Sequence, residues 1–279
     1  MANDNYNNSR INVRFAELAK KGECALICYV VAGYPDLPTS QAVVEMLIEG
    51  GADAIEIGIP FSDPIADGPT IQAASNAALE RGTRPIDALG LAARIRRKYP
   101  SVPILVMTYS NILARNGFES FMDQSEKSGI DGFITPDMPV EESDEYVKAA
   151  AKHGMSTVFL ASPNTTPLRL KDIVERTSGF LYMVSVFGIT GARSSIEQYS
   201  LQAVRDVKAA AGARVPVAVG FGISRPDHVR RMRGAGADAV IVGSALVDII
   251  TRSVRTKPKM LREVRNYARA MKSACKKSK

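Results

Sequence analysis

What this 279-residue chain lacks narrows its class first. No stretch approaches the ~20 uninterrupted apolar residues that a membrane helix needs. The first ten residues, MANDNYNNSR, hold no apolar segment of a secretory signal and read as a flexible polar leader. Cysteine occurs three times, at positions 24, 28 and 275. An odd set without a spacing pattern excludes a disulfide framework and points to a reducing cytoplasm. Cys24 and Cys28 fall in the apolar run ECALICYVVAG, where cysteine behaves as a small hydrophobe rather than a metal ligand. Histidine occurs twice. His153 sits at a helix end and His228 at a helix start, neither at ligand spacing from Asp, Glu or Cys. No zinc or facial-triad motif results, and both read as surface residues.

A uniform basic character is also missing. The net charge is +7, but Arg252–Lys279 alone carries eleven Lys/Arg and one acid, Glu263, while the rest of the chain holds 25 basic and 28 acidic groups. The body is therefore not a nucleic-acid surface. The tail reads as a solvated final helix with a frayed lysine end, the alternative being contact with RNA or another acidic surface.

What is present is a regular alternation. Apolar residues make up 46% of the chain. They concentrate in eight short runs, at 25–33, 54–60, 103–109, 132–137, 156–162, 179–185, 215–222 and 239–245. Each is nearly all apolar, as parallel strands buried on both faces require. Between them, 41–51, 85–100, 142–154 and 201–212 repeat apolar residues at i, i+3 and i+4, the helical stripe. A weak repeat marks the joins: Gly51-Ala-Asp53-Ala, Gly129-Ile-Asp131-Gly and Gly236-Ala-Asp238-Ala each lie between a helix and a strand. The glycine suits a left-handed helix C-cap and the aspartate suits the turn. Eight such units predict a (β/α)8 TIM barrel, whose usual size is ~250 residues. Residues 12–21 predict an extra N-terminal helix over the barrel bottom. No linker interrupts the array, so 1–279 reads as one domain, with 1–10 as leader and 272–279 as basic tail. An open doubly wound sheet would need a Gly-rich turn after its first strand, and AGYPDLPTS is not one.

Function in this fold sits at strand C-termini and the loops after them. Glu56 stands out there. In AIEIGIP, period two turns Ile55, Ile57 and Ile59 to the helices and Ala54, Glu56 and Gly58 into the barrel. A buried carboxylate without a partner acquires a raised pKa, useful for acid–base work near neutrality; a structural ion pair across the barrel is the plainer reading. Asp67 follows in the rigid loop PFSDPIADGPTIQ and completes a carboxylate pair. Three glycine-bearing turns, Gly188-Ile-Thr190-Gly191, Gly220-Phe221-Gly222 and Gly243-Ser244, suit a phosphate cradle, the last two in the loops where barrels of this kind bind phosphate. None of the eight runs contains lysine, which argues against a Schiff-base aldolase or decarboxylase. What remains is carboxylate chemistry on a phosphorylated substrate, with no metal and no cofactor.

At this point a family resemblance enters. Glu56-Ile-Gly-Ile-Pro60-Phe-Ser-Asp63-Pro-Ile-Ala-Asp67-Gly-Pro-Thr-Ile71-Gln is similar to the signature of tryptophan synthase α subunits, and AGYP, MTYSN, PDMPVEES, SPNT, GITGAR, GFGIS and VGSA extend the likeness over roughly residues 11–270. The resemblance implies retro-aldol cleavage of indole-3-glycerol phosphate to indole and glyceraldehyde 3-phosphate. It implies Glu56 as proton shuttle, Asp67 as second catalytic aspartate accepting the indole N–H, Tyr182 against the substrate, and Gly191, Gly222, Gly243 and Ser244 at the phosphate. Tyr29, Ile71, Met107, Ile134 and Phe221 would form the apolar indole pocket. The sequence departs at Val186-Phe187, where some members carry a polar or cationic residue. Residues 186–200 are expected as a mobile lid hinged at Gly188 and Gly191, with Thr190 reaching Asp67. A pyridoxal-phosphate-bearing β subunit is the implied partner, in an α2β2 assembly, docking over exposed Asp63, Pro64, Asn111 and Pro139. A catalytically silent regulatory barrel is the other reading; the intact Glu56 and Asp67 argue against it.

Overall fold

The computed structural model describes residues 9–184, 193–220 and 222–277. Its strands are β1 Ala25–Val31, β2 Ala54–Gly58, β3 Ile104–Met107, β4 Gly132–Ile134, β5 Ser156–Val158, β6 Leu160–Ala161, β7 Leu181–Val184, β8 Val217–Gly220 and β9 Ala239–Val242. All neighbours pair in parallel, in the order β5-β4-β3-β2-β1-β9-β8-β7-β6. The eight predicted strands become nine because the run 156–162 is broken at Phe159: its first half pairs with β4 and its second with β7. That one segment bridges the two ends of the order and closes the barrel.

The helices are α1 Arg10–Lys21, α2 Leu37–Glu49, α3 Pro69–Glu80, α4 Pro85–Lys98, α5 Ser110–Asn116, α6 Phe118–Lys127, α7 Asp144–Lys152, α8 Pro167–Arg176, α9 Arg193–Ala211, α10 Pro226–Gly234, α11 Ser244–Ser253 and α12 Lys257–Cys275. Among the described residues none is long and apolar enough to cross a membrane. Strand parity is as expected: Ile55, Ile57 and Ile59 pack against the helices, while Ala54 lies in the barrel interior with Ile27, Leu105, Ile134, Val158, Phe180 and Ile241. From below, α1 inserts Ile11, Phe15 and Leu18, with the Phe15 and Phe180 rings 5.8 Å apart.

The Gly-x-Asp repeat has a common structural job. Gly51, Gly129 and Gly236 all take positive φ, at 100°, 74° and 100°. Each following aspartate accepts a backbone N–H from the first or second residue of a neighbouring strand and pairs with a helical cation. Asp53 accepts from Leu26 at 2.8 Å and pairs with Lys272 at 2.8 Å. Asp131 accepts from Ile104 at 2.7 Å and pairs with Arg96 at 2.6 Å and Arg10 at 2.8 Å. Asp238 accepts from Val217 at 2.7 Å and pairs with Lys208. These bonds satisfy strand-edge N–H groups that would otherwise be stranded at the barrel rim.

Four expectations need correction. The leader does not extend to residue 10: Ser9 caps α1, accepting from the Asn12 N–H at 3.2 Å, and Arg10 already belongs to the helix. The basic tail does not begin at 272. α12 buries Met260, Val264, Ala268, Met271, Ala274 and Cys275 on one stripe, so Lys272 is held between Asp53 and Glu23 rather than frayed. The expected lid is helical from Arg193, because Ser200, Ala203, Val204, Val207 and Ala211 form a buried stripe. His228 is 7% exposed, not a surface residue.

Candidate active site

Glu56 sits mid-β2 in register with Tyr29 of β1 and Leu105 of β3. It is 1% exposed, and its Oε2 has no hydrogen-bond partner. Burial, reinforced by the nearby Asp67 charge, pushes its carboxyl up to about 8. Such a group is protonated at neutral pH and can give a proton as an acid.

Asp67 comes from the loop after β2 and is held from the outside. The Tyr109 hydroxyl donates to its Oδ2 at 3.0 Å, and the same hydroxyl accepts from the Ala66 N–H at 3.1 Å. The Tyr109 ring stacks on Phe61 at 5.0 Å. Gln72 Nε2 donates to the Asp67 carbonyl at 2.8 Å. Burial raises the Asp67 carboxyl to about 6, against the lowering effect of the Tyr109 bond. The two carboxyls therefore straddle neutrality, one ionised and one protonated.

Both carboxylates open onto one cavity of about 490 Å³ at the C-terminal ends of the strands. Its lining brings together Tyr29, Ile71, Met107, Ile134, Tyr182, Gly222, Gly243 and Ser244 with Glu56 and Asp67. Two glycines make room for the tyrosines. A Cβ on Gly58 would fall 2.2 Å from the Tyr29 hydroxyl, and one on Gly220 would fall 2.3 Å from the Tyr182 hydroxyl. Gly243 precedes Ser244, the first residue of α11, whose start has no side-chain cap. Uncapped N–H groups at a helix start suit a phosphate. Gly222, at φ 72°, forms the adjacent turn. Buried His228 lies beneath that turn, its Nδ1 3.1 Å from the Gly222 carbonyl and 3.4 Å from the Ser224 nitrogen. Burial lowers its pKa, which keeps the ring neutral at pH 7.

Thr190, Gly191 and Phe221, with the Val186-Phe187 departure and Gly188, lie outside the described residues. Of the expected docking residues, Asp63, Asn111 and Pro139 are exposed but Pro64 is buried under its loop; Ile65 beside it is 81% exposed. Sequence reasoning missed Tyr109, which reads as the polar end of an apolar strand. It also missed Leu160 and Ile241, whose parity with Tyr182 and Ile27 across neighbouring strands marks them as inward-facing. A larger cavity, about 1030 Å³, opens at the opposite end beside α1. Lys208 and Arg176 on its wall are already paired with Asp238 and Asp144, and it lies far from Glu56 and Asp67, so the smaller cavity is the candidate site. Among the described residues no cluster of His, Cys, Asp and Glu is arranged to hold a metal ion.

A family model described as "Tryptophan synthase alpha chain" matches residues 15–276. The chain belongs to the tryptophan synthase alpha chain family. It is 41% identical over 264 residues to the tryptophan synthase alpha chain of Methanothermobacter thermautotrophicus, covering 94% of this chain and 97% of that one. To the alpha chain of Synechocystis it is 38% identical over 263 residues, covering 93% and 97%. Among solved structures, the tryptophan synthase alpha subunit of Legionella pneumophila superposes with a TM-score of 0.88 at 31% identity, covering 96% and 98%. Members of the tryptophan synthase alpha chain family are TIM barrels, and this chain is accordingly a subunit of a lyase of tryptophan biosynthesis, the one that cleaves indole-3-glycerol phosphate.

Proposed function

We propose that the cavity binds indole-3-glycerol phosphate with its phosphate at Gly222, Gly243 and Ser244, its indole among Tyr29, Ile71, Met107 and Ile134, and its glycerol chain between Glu56 and Tyr182. The observation that carries this reading is the unpaired, buried Glu56 oxygen facing the same cavity as an anchored Asp67. Protonated Glu56 delivers its proton to indole C3. The ring nitrogen then gains positive character, and ionised Asp67 accepts the N–H bond and stabilises it. Glu56, now a carboxylate, accepts the proton of the glycerol hydroxyl on the carbon next to C3 as the C–C bond breaks. The bonding pair passes to the indole, the hydroxyl carbon becomes the aldehyde of glyceraldehyde 3-phosphate, and Glu56 regains its proton. No cofactor is needed for these steps. Glu56→Gln tests the assignment: the amide fills the same space without a transferable proton, so indole release should be lost while phosphate-ligand binding survives. Near-normal release would overturn it.

The partner reading follows from the same face. A PLP-bearing β subunit in an α2β2 assembly would take indole directly from the strand C-termini, and solved relatives titled tryptophan synthase of Mycobacterium tuberculosis share the fold at 36% identity and TM-score 0.86. Exposed Asp63, Ile65, Asn111 and Pro139 supply the docking surface. The three free cysteines support a cytoplasmic setting.

A further inference from the structure

Residues 24 and 275, at the two ends of the sequence, meet at the barrel bottom. The Cys24 N–H donates to the Cys275 carbonyl at 3.1 Å, which satisfies one of the four carbonyls that the end of α12 leaves open. A single backbone N–H···O=C bond holds the two Cα atoms within roughly 5–7 Å, a range that overlaps the ~4.4–6.8 Å span a disulfide bridges. The two thiols lie close enough to shift each other's ionisation, and both cysteines are free. They are 2% and 0% exposed, yet the chain turns outward at once, to exposed Lys276 and Lys277. The third cysteine cannot compete. Cys28 lies four residues along β1, ~13 Å from Cys24, and faces Tyr267, which is eight residues or ~12 Å before Cys275 on α12.

We propose that Cys24 and Cys275 form an oxidisable pair, which a small disulfide such as oxidised glutathione converts into a bridge joining the first strand to the last helix. The chemistry assigns an order to the sulfurs. The Cys275 side chain beside it lowers the Cys24 pKa, aided by the Lys272 ammonium and the Arg233 guanidinium and opposed by burial. Cys275 is shifted upward, first by the Cys24 side chain and then by burial. Cys24 is therefore the attacking thiolate. Opening of the last turn of α12 admits the oxidant. The Cys24 sulfur attacks one sulfur of the oxidant, whose disulfide bond breaks and releases one thiolate. Cys275 then loses its proton and attacks the Cys24 sulfur of the mixed disulfide, displacing the second thiolate. Two electrons pass to the oxidant, the two cysteine protons end on its two thiols, and one protein disulfide remains. The bridge sits below the barrel, five residues of strand away from Tyr29. It therefore closes nearly the whole chain into a loop without touching the cavity, and such closure restricts the unfolded chain.

The test incubates the full chain with oxidised glutathione, counts thiols in denaturant and maps peptides without reduction. The wild-type chain should fall from three free thiols to one, with residues 24 and 275 in one cross-linked species. Cys28→Ser should fall from two to none. Cys24→Ser should form no internal bridge. Persistence of all three thiols, a bridge containing Cys28, or mixed disulfides that never close would overturn the proposal. The wild-type map decides alone if a variant fails to fold.

Discussion

Replacing Glu56 with Gln should raise stability in proportion to pH while it removes activity. The wild-type carboxyl ionises at the ordinary 4.5 when unfolded and at about 8 when folded. A raised folded pKa means that the native state holds a proton the unfolded state releases, so this group's contribution falls as pH rises from 4.5 through 8 and is constant outside that window. With 1.36 kcal/mol per pKa unit, the penalty is under about 1 kcal/mol at pH 5, about 3 at pH 7 and about 4 at pH 8. The group is 1% exposed, so solvent does not screen the effect. The amide has its own burial cost, but that cost does not vary with pH, and the slope isolates the proton. In a domain of this size 1 kcal/mol moves the melting point by ~2–4 °C. The stability gap between Gln and wild-type chains should therefore widen by roughly 6–12 °C between pH 5 and pH 8. Calorimetry of both chains across that range, without ligand, measures it. Parallel curves would mean that Glu56 is ionised in the folded chain, and the acid step assigned to it would fall with them.

The remaining expectations are of the same kind. Cleavage should be bell-shaped in pH, falling below about 6 as Asp67 protonates and above about 8 as Glu56 loses its proton; a flat profile between pH 5 and 9 would contradict the pairing of roles. Tyr109→Phe removes a hydrogen bond to a carboxylate, typically ~1.5–3 kcal/mol, so kcat/KM should drop ~10–100-fold and the acid limb should move to higher pH, since that bond now lowers the Asp67 pKa. An unchanged limb would mean Tyr109 only packs. Asp63→Ala and Ile65→Ser should each weaken β-subunit binding while sparing the isolated chain's own cleavage, measured by titrating indole release with the partner; unchanged affinity would move the interface elsewhere.

Much of this was legible because chemistry broke a pattern. Glu56 interrupts an apolar strand, and parity alone turned it inward. Of the three glycine turns, Gly222 and Gly243 line the same cavity as Glu56. Tyr109 was invisible for the opposite reason: a tyrosine at the end of PILVMTY fits an apolar strand, and only tertiary contact reveals that its hydroxyl grips Asp67. His228 was misread because a polar residue in a helix start looks exposed, whereas packing against the Gly222 turn buries it. The tail was misread from its charge. Lysines at 272, 276 and 277 suggest solvent, but the apolar stripe Met260–Cys275 carries the helix past Lys272, and only Lys276 and Lys277 are exposed. Pro64 shows the same limit in a loop, where composition says turn and says nothing about which residue faces in.

The two ends of the barrel are built on opposite electrostatic terms, and one comparison exposes this. At the bottom, Asp131 is 6% exposed, yet Arg96, Arg10 and the Ile104 N–H all point at it. At the top, Glu56 is buried without an ion partner. Replacing a carboxyl therefore has opposite signs at the two ends. Asp131→Ala strands a guanidinium that is only 12% exposed, and losing one member of such a pair costs ~3–5 kcal/mol. Its active site is untouched, so the kcat of the surviving folded fraction should equal that of the wild type. Glu56→Gln should do the reverse, gaining stability and losing kcat. Urea unfolding and indole release on both variants test the contrast. If Asp131→Ala lowered kcat at unchanged stability, the bottom aspartates would be coupled to the chemistry, and their reading as strand-edge pairs would be wrong.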